Sequence, residues 1–227
     1  MKKLLISALM ILTSYTMASA ELGIKVGVSA QIGTMETKAT EKSTDAAITD
    51  VSTPNEETMF GAGTYFIEKE LSFLPGPLSR LSIGYDNIGH DLDLGSASRT
   101  VSDRLGSTAV PAQAFTNQAS AEVTGFDSFY ATVNITDWLY VKGGSVNVAI
   151  KTTEKLESGG SYPDVSMDGV VMGLGVHGEN DAGLFFRLEL NEYSIDGATV
   201  ANSTGKRSIL IGDISGTTAR VSVGKSF

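Results

Sequence analysis

The sequence predicts an all-β fold class, an eight-stranded antiparallel up-and-down transmembrane β-barrel, and three observations support this prediction. Apolar residues alternate with polar residues or glycine over long segments, short connections alternate with long polar ones, and the chain contains 25 Gly against 5 Pro. Alternation with period two is typical of strands, in which successive side chains point to opposite faces. Beyond residue 20 the sequence shows no helical stripe of useful length, so we expect extended chain throughout.

The clearest strand is the segment 22–33. Its even positions, from Leu22 to Ile32, are all apolar, whereas its odd positions hold Gly, Lys, Ser and Gln. One face of this strand is therefore apolar and the other is polar or bare. The same alternation is found at 121–135, 170–177 and 184–191. The alternation is less regular at 80–85, 138–150 and 59–71, and its phase is ambiguous in the last of these. Within 138–150, a change of phase near Gly143 and Gly144 predicts a bulge.

The connections between these strands are short and long in turn, which gives eight strands with both termini at the short-turn end. Aromatic residues fall near that end, where we expect one girdle at a bilayer interface: Phe73, Trp138, Tyr140 and Phe227. The short connections lie at 75–77, 136–137 and 178–183, and the long polar ones at roughly 37–56, 95–119, 153–166 and 196–207.

A soluble eight-stranded barrel with an apolar interior, such as a lipocalin, would also show alternation. The patterned segments here run for roughly 12–16 residues, whereas strands of soluble proteins cluster at ~5–6 residues and a bilayer requires ~9–11 tilted residues per strand. The polar faces are rich in Gly and small hydroxyl residues, which suit the limited space inside a narrow barrel. Both features favour the membrane barrel.

The N-terminus has the features of a secretory signal peptide. A basic start precedes a nine-residue apolar run, and the small residues Ala18 and Ala20 stand before Glu21 as a signal peptidase requires. The run is too short for a spanning helix, which needs ~20 apolar residues. We therefore expect cleavage before Glu21, with residues 1–20 as the signal peptide and residues 21–227 as one barrel domain.

Composition excludes several classes of function. Removal of the two lysines of the signal peptide leaves 15 basic against 26 acidic residues, a net charge of −11. Nucleic-acid recognition requires a basic surface, so we expect no nucleic-acid partner. The chain has no Cys, which excludes disulfides, thiol chemistry and lipoprotein processing.

Taken together, these features resemble the small outer-membrane β-barrel proteins of Gram-negative bacteria, the porin-like barrels similar to the OmpA membrane domain, OmpX and OmpW. The resemblance implies an outer-membrane location, short periplasmic turns, long extracellular loops, and outer-membrane lipids and lipopolysaccharide as partners. It also implies that the assembly machinery recognises the end of the last strand. The residues that match this ending are Ala219, Val221, Val223 and Phe227, and Lys225 departs from it.

The sequence gives little support for a catalytic, cofactor-binding or metal-binding site. Residues 173–178 satisfy G-x-G-x-x-G, but they lie inside a strand, whereas a dinucleotide site requires a helix after the glycines. Residues 224–226 resemble the end of a phosphate-binding loop, yet only one residue follows them. The two histidines, His90 and His177, are 87 positions apart. We therefore expect no catalytic, cofactor-binding or metal-binding residues and no cofactor.

Charged residues on the polar strand faces form the remaining candidate site. Buried charges must be paired, so we expect an internal salt-bridge network that fills the lumen. Its predicted members are Lys25, Arg80, Asp86, Glu122, Arg187, Glu189 and Arg220. The acidic segment 36–57 is expected to be a solvated, mobile loop near lipopolysaccharide, where divalent ions could bridge the charges.

These observations favour a structural or surface-interaction barrel that is not an enzyme. The alternatives are a narrow porin-like channel for small solutes, lateral passage of small apolar solutes, and a lipid-modifying enzyme of the outer leaflet. The sequence leaves open whether the lumen conducts, what the loops bind and the oligomeric state.

Overall fold

The computed structural model describes residues 22–44, 51–52, 56–103, 113–157 and 160–227. The predicted cleavage residues Ala18, Ala20 and Glu21 lie outside the described residues. The strands are β1 (Ile24–Thr37), β2 (Ala39–Ser43), β3 (Val51–Ser52), β4 (Glu56–Glu70), β5 (Leu81–Ile88), β6 (Leu92–Asp103), β7 (Gln113–Asn134), β8 (Leu139–Leu156), β9 (Val165–Glu179), β10 (Leu184–Ile195), β11 (Ala198–Ala201), β12 (Arg207–Ile211) and β13 (Ile214–Ser226), and one 3-10 helix covers Gly76–Arg80.

The wall is a closed antiparallel barrel of eight strands, which confirms the predicted fold class. Its order is β1, β4, β5, β7, β8, β9, β10 and β13, and β6 continues β5 along the upper part of β7. The barrel closes because β1 pairs with β13 from Lys25 and Ser226 to Glu36 and Ser215. Within the described residues, no helix is long and apolar enough to cross a membrane.

Side chains that bond to the backbone define the short turns. At one turn, the Thr136 hydroxyl accepts a hydrogen bond from the backbone N–H of Leu139 at 3.0 Å. At another, the Asn180 side-chain oxygen accepts from the N–H of Leu184 at 3.0 Å, and Gly183 adopts φ 75°. Asn and Thr stabilise turns in this way, and only Gly takes a positive φ without strain. These residues explain why two of the connections at this end are short, while the connection between β4 and β5 contains the 3-10 helix.

The opposite end carries more strand than the sequence predicted. A second sheet, in the order β11, β12, β2, β3, extends above the barrel from the ends of β1, β10 and β13. The segments 37–56 and 196–207, predicted as polar loops, therefore contain strand, and so does 95–119, where β6 pairs with β7. Polar composition was the wrong criterion for predicting loops, because strands that extend beyond the barrel can pair through their backbones without apolar side chains.

The polarity of the wall reverses along the strands. At the short-turn end, β10 directs Leu188 outward and the buried Arg187 and Glu189 inward. Higher on the same strand, Glu192 is outward and exposed while Ile195 is inward and buried. The barrel thus has an apolar outer band around its lower half and an apolar interior in its upper half. The upper interior cluster comprises Ala62, Ile88, Val123, Phe126, Val146, Val148, Ile150, Met167, Val171, Tyr193 and Ile195.

The predicted bulge near Gly143 and Gly144 is wrong. β8 pairs with β9 in continuous register from Leu139 and Val176 to Ile150 and Val165. The apparent change of phase is the reversal of polarity, because β8 faces inward with lysine and tyrosine below and with valine and isoleucine above. The register shift lies in β7 instead, between Val123 and Gly125.

Candidate functional site

Five of the seven residues predicted to form a charge network in the lumen are buried inside it. Their exposed fractions lie between 2% and 7%, so water does not solvate these charges and each needs a partner. They come from four strands that the closed barrel brings face to face. These residues are Lys25, Asp86, Arg187, Glu189 and Arg220.

The other two residues lie elsewhere, and their assignment to the lumen is corrected. Arg80 is exposed at the end of the 3-10 helix, where it donates a hydrogen bond to the Ile135 carbonyl at 3.0 Å. Glu122 is exposed while its neighbour Val123 is buried. The irregularity between Val123 and Gly125 moves one residue out of register, which reverses the face on which each side chain lies.

Sequence reasoning missed two members of the buried cluster, Glu68 and Lys142. Their exposed fractions are 2% and 5%. Both lie in segments whose alternation was noisy, because β4 and β8 change from polar to apolar inward residues along their length. Assigning alternate residues to the interior, starting from the short-turn end of each strand, would have placed both residues inside.

The lower part of the cluster is a bidentate pair. The two terminal nitrogens of Arg187 each donate to one oxygen of Glu68 at 2.5 Å, and the Tyr130 hydroxyl donates to the same carboxylate at 2.8 Å. Three charge-assisted hydrogen bonds therefore hold Glu68, and such bonds are about twice as strong as neutral ones. The Arg187 guanidinium also lies 4.8 Å from the Phe185 ring centroid, in range for a cation–π contact.

The upper part of the cluster centres on Arg220. This guanidinium contacts Asp86, donates to the Ser29 hydroxyl at 2.7 Å and lies 3.3 Å from Glu189. Glu189 in turn lies 3.6 Å from the Lys142 ammonium. Three acidic and three basic side chains thus meet across the lumen, and their formal charges cancel. The six are Glu68, Asp86, Glu189, Lys142, Arg187 and Arg220.

The short-turn mouth of the lumen carries a further ion pair. Lys25 bonds to Glu70 at 2.7 Å and to Glu179 at 3.0 Å, and both carboxylates are about one-third exposed. A void of about 10 Å³ between this mouth and Arg187 is lined in part by Tyr140. That volume holds about one water molecule, so the side chains fill this end of the lumen.

Two of the four residues predicted to form an aromatic girdle are exposed at the short-turn end. Phe73 and Trp138 are exposed at the short-turn end, at 71% and 58%. Tyr140 is only 2% exposed and points into the lumen, so its assignment to the girdle was wrong. Phe227 bonds to Ile24 through its backbone N–H at 2.9 Å, which ties the end of the chain into the wall.

The two histidines weighed for catalysis lie on different parts of the wall, and each has a contact of its own. His90 Nε2 accepts a hydrogen bond from the Gly63 N–H at 3.1 Å, and His177 lies on β9 against the Tyr140 ring. Residues 173–178 lie within β9 and residues 224–226 within β13. Across the ranges that the structure describes, no group of three or more His, Asp and Glu could hold a metal ion.

In the upper wall, the described parts of β4 and β6 are not paired with each other, and we call this stretch of the wall the slot. β4 pairs with β5 only from Thr64 to Glu70, while β6 pairs with β7 alone, so the strand partner of residues 56–63 is β1. The bond from Gly63 to His90 lies where pairing stops. Ala62 and Ile88, at the base of the slot, belong to the apolar interior.

The sheet above the barrel is held by its own ionic contacts. Arg207 on β12 bonds to Glu41 on β2 at 2.7 Å. Burial and the Glu41 carboxylate raise the pKa of Tyr162, in the connection between β8 and β9, to about 12. The segments predicted as separate loops therefore form one connected surface.

The closed wall, the apolar outer band and the charged interior define an integral membrane β-barrel protein. No family model and no curated protein sequence match the chain. Among solved structures it is similar to the outer-membrane protein OprG from Pseudomonas aeruginosa, at 10% identity and a TM-score of 0.46 over 92% of this chain and 98% of that one.

The chain is also similar to the outer-membrane protease OmpT from Escherichia coli, at 10% identity and a TM-score of 0.40 over 94% of this chain and 100% of that one. A third is Ail, the attachment invasion locus protein of Yersinia pestis, at 9% identity and a TM-score of 0.31 over 86% of this chain and 97% of that one. These proteins differ in role, so the likeness assigns no role to this chain.

Proposed function

We propose that the chain is an integral outer-membrane β-barrel with a structural or surface-interaction role and a lumen closed by its own side chains. The observation that carries this proposal is the neutral cluster of six buried charges, in which Glu68, Arg187 and Arg220 are each bonded across the lumen. An eight-stranded barrel has an interior just wide enough for side chains to fill.

The outer band supports insertion in a bilayer. On β1 it extends from Ile24 to Ile32, which at ~3.3 Å per residue and a tilt of ~40° gives a height of ~20 Å. Membrane barrels have an apolar band of similar height, ~25 Å. A closed barrel with short turns at one end and longer extensions at the other is typical of the bacterial outer membrane, and the predicted signal peptide agrees with export.

Conductance tests the closed lumen directly. The refolded protein is inserted into planar bilayers, and we expect no large, steady channel. A variant with Glu68→Ala and Arg187→Ala removes the bidentate pair and should allow ion flow that the exposed control Glu192→Gln does not. A steady pore in the unmodified protein would overturn the proposal and favour the narrow porin-like channel.

A second candidate function is lateral passage of small apolar solutes, and the slot between β4 and β6 favours it. The slot adjoins the apolar interior at Ala62 and Ile88, so a solute could reach that interior without crossing the charged cluster below. Uptake of an apolar fluorophore by vesicles that contain the protein would test this route. Ala62→Phe should block it, whereas Ala131→Phe on the outer face should not; equal uptake by protein-free vesicles would exclude the route.

The lipid-modifying enzyme is tested separately. Purified protein is incubated with lipopolysaccharide, and mass spectrometry measures deacylation or acyl transfer. We expect unchanged lipopolysaccharide, because both nitrogens of His90 lie against backbone groups, the Gly63 N–H and the Asp91 carbonyl, each at 3.1 Å. Any modified product that depends on the folded protein would contradict the proposal.

We further propose that the assembly machinery reads the end of β13. Ala219, Val221 and Val223 alternate on its outward face, and Phe227 follows in the wall beside Ile24. Lys225, the departure from the pattern, lies 5.7 Å from the Phe227 ring centroid. This contact keeps its ammonium at the membrane edge, where long basic side chains are tolerated. In this role the surrounding partners are outer-membrane lipids and lipopolysaccharide.

A further inference from the structure

Three basic side chains lie at the short-turn end of one side of the wall. The strands β13, β1, β4 and β5 are neighbours in the barrel. Lys225 lies near the end of β13, Lys69 lies near the end of β4, and Arg80 directly precedes β5. These three residues, which we call the basic rim, therefore occupy one continuous part of the lower edge of the barrel.

Strand register places two members of the basic rim at the lower edge of the apolar outer band. Lys225 follows the exposed Val223 by two residues, and Lys69 follows the exposed Ile67 in the same way, so each lysine continues an outward apolar row. Val26 pairs with both Lys225 and Ile67. One strand therefore separates β13 from β4, a lateral distance of ~10 Å, and both ammonium groups can face the same layer of lipid headgroups.

Exposed apolar side chains accompany the basic rim. The Lys69 ammonium lies 5.8 Å from the ring centroid of Phe73, and the Lys225 ammonium lies 5.7 Å from that of Phe227. Both distances are in range for cation–π contacts. Leu78, two residues before Arg80, is half exposed. Aromatic rings at the ends of membrane barrels lie at the level of the headgroups, so these contacts hold the ammonium groups at that level.

The cations of the basic rim have no carboxylate partner among the residues that the structure describes. Lys69 donates a hydrogen bond to the Leu22 carbonyl, and Arg80 donates one to the Ile135 carbonyl at 3.0 Å. An ammonium has three donors and a guanidinium has five. Each side chain therefore keeps donors that can bond to an acceptor outside the protein.

The acidic side chains at this end leave the basic rim positively charged. Glu70 and Glu179 both bond to Lys25 at the mouth of the lumen. The connection between β4 and β5, residues 71–80, contains no Asp or Glu, whereas each of the other two turns contains one Asp. A local positive surface on an otherwise acidic chain, placed at the edge of a bilayer, attracts anionic headgroups.

We propose that the basic rim binds anionic phospholipid, with the headgroup phosphate bonded to Lys69, Arg80 and Lys225 and the acyl chains against the apolar outer band. The rim faces the leaflet at the short-turn end, on the side of the membrane opposite to lipopolysaccharide. Cations without acidic neighbours favour a headgroup of net negative charge over a zwitterionic one, whose ammonium they repel. The proposal rests on the membrane location of the barrel and is independent of the closed lumen and of the slot.

Native mass spectrometry of the refolded protein in detergent tests this proposal. Phosphatidylglycerol or phosphatidylethanolamine with identical acyl chains is added, and the retained lipid is counted. We expect phosphatidylglycerol to be retained in preference to phosphatidylethanolamine. The preference should disappear in a triple variant of the basic rim, which carries Lys69→Gln, Arg80→Gln and Lys225→Gln.

A matched control removes the same charge from exposed lysines at the opposite end of the barrel and should keep the preference. This control carries Lys38→Gln, Lys42→Gln and Lys206→Gln. The change in gel mobility on heating verifies that each variant is folded. Equal loss in the two triple variants would show a response to net charge alone and would overturn the proposal, as would the lack of any preference in the unmodified protein.

Single variants and a soluble competitor complete the test. Each single substitution in the basic rim should reduce the preference for phosphatidylglycerol about two- to fivefold, the range that an exposed ion pair supplies. Glycerol 3-phosphate, which has the phosphate but no acyl chains, should not displace the lipid. Displacement at equal concentration would show a site for soluble phosphate and would overturn the assignment to phospholipid.

Discussion

Replacement of Glu68 by glutamine should destabilise the barrel strongly. The substitution keeps the shape of the side chain but removes the charge that Arg187 contacts through two hydrogen bonds of 2.5 Å. Hydrogen bonds to charged groups contribute about 1.5–3 kcal/mol each, so two of them give ~3–6 kcal/mol. A second estimate agrees: removal of one partner of a buried ion pair costs about 3–5 kcal/mol, because the remaining charge stays buried without its partner. We therefore expect a loss of ~4 kcal/mol in the free energy of unfolding.

Urea unfolding in lipid vesicles measures this loss, with the folded fraction read from the change in gel mobility and the free energy obtained by linear extrapolation. The matched control is Glu70→Gln at the mouth, where Lys25 keeps Glu179 and the pair is partly exposed; its cost should stay below ~1 kcal/mol. The double variant Glu68→Gln with Arg187→Met should lose less than the sum of the single variants. Strictly additive losses, or equal losses at Glu68 and Glu70, would refute the reasoning.

Three further outcomes follow from the structure. Gly175→Ala should cost about 1–3 kcal/mol by overpacking, because its new methyl group would overlap the Tyr140 ring, whereas Gly143→Ala meets open space and should be neutral in the same unfolding assay. Tyr162 has its pKa raised to about 12, so its contribution to stability should be complete below pH 10 and lost as the pH rises from 10 to 12; the difference between ultraviolet titrations of the unmodified protein and Tyr162→Phe checks this. Phe227→Ala should lower the amount of barrel assembled in cells but leave refolding in detergent unchanged, and equal loss in both would show a purely structural role.

The lower half of the barrel could be predicted from the sequence because both of its faces follow one rule. Lipid requires apolar side chains outside, and the narrow interior accepts polar and small ones, so Ile24 to Ile32 show an unbroken pattern. The same rule placed Arg187 and Arg220 inside. On β1, β10 and β13, period two was sufficient to assign the side chains of the lower half to a face.

The remaining assignments failed where that rule changes. Lys142 was missed because β8 exchanges a polar interior for an apolar one above it, and this exchange resembles a change of phase. Glu122 was misplaced because a register shift between Val123 and Gly125 leaves no mark in composition. Tyr140 was assigned to the interface because its position along β8 was read without its face. These three errors concern the direction of a side chain, whereas the segments 37–56 and 196–207 were predicted as loops and contain strands.

The reversal of polarity also fixes the depth of the protein in the membrane. On β8 the part above the apolar band, residues 145–156, corresponds to ~30 Å at ~3.3 Å per residue and a tilt of ~40°. Downward sliding would bring Glu192 and Asp168, both exposed on this outer face, into hydrocarbon, and upward sliding would bring leucines into water. Both movements cost free energy. The barrel therefore has a single preferred depth in the membrane, and the sheet above it lies at one constant height over the cell surface.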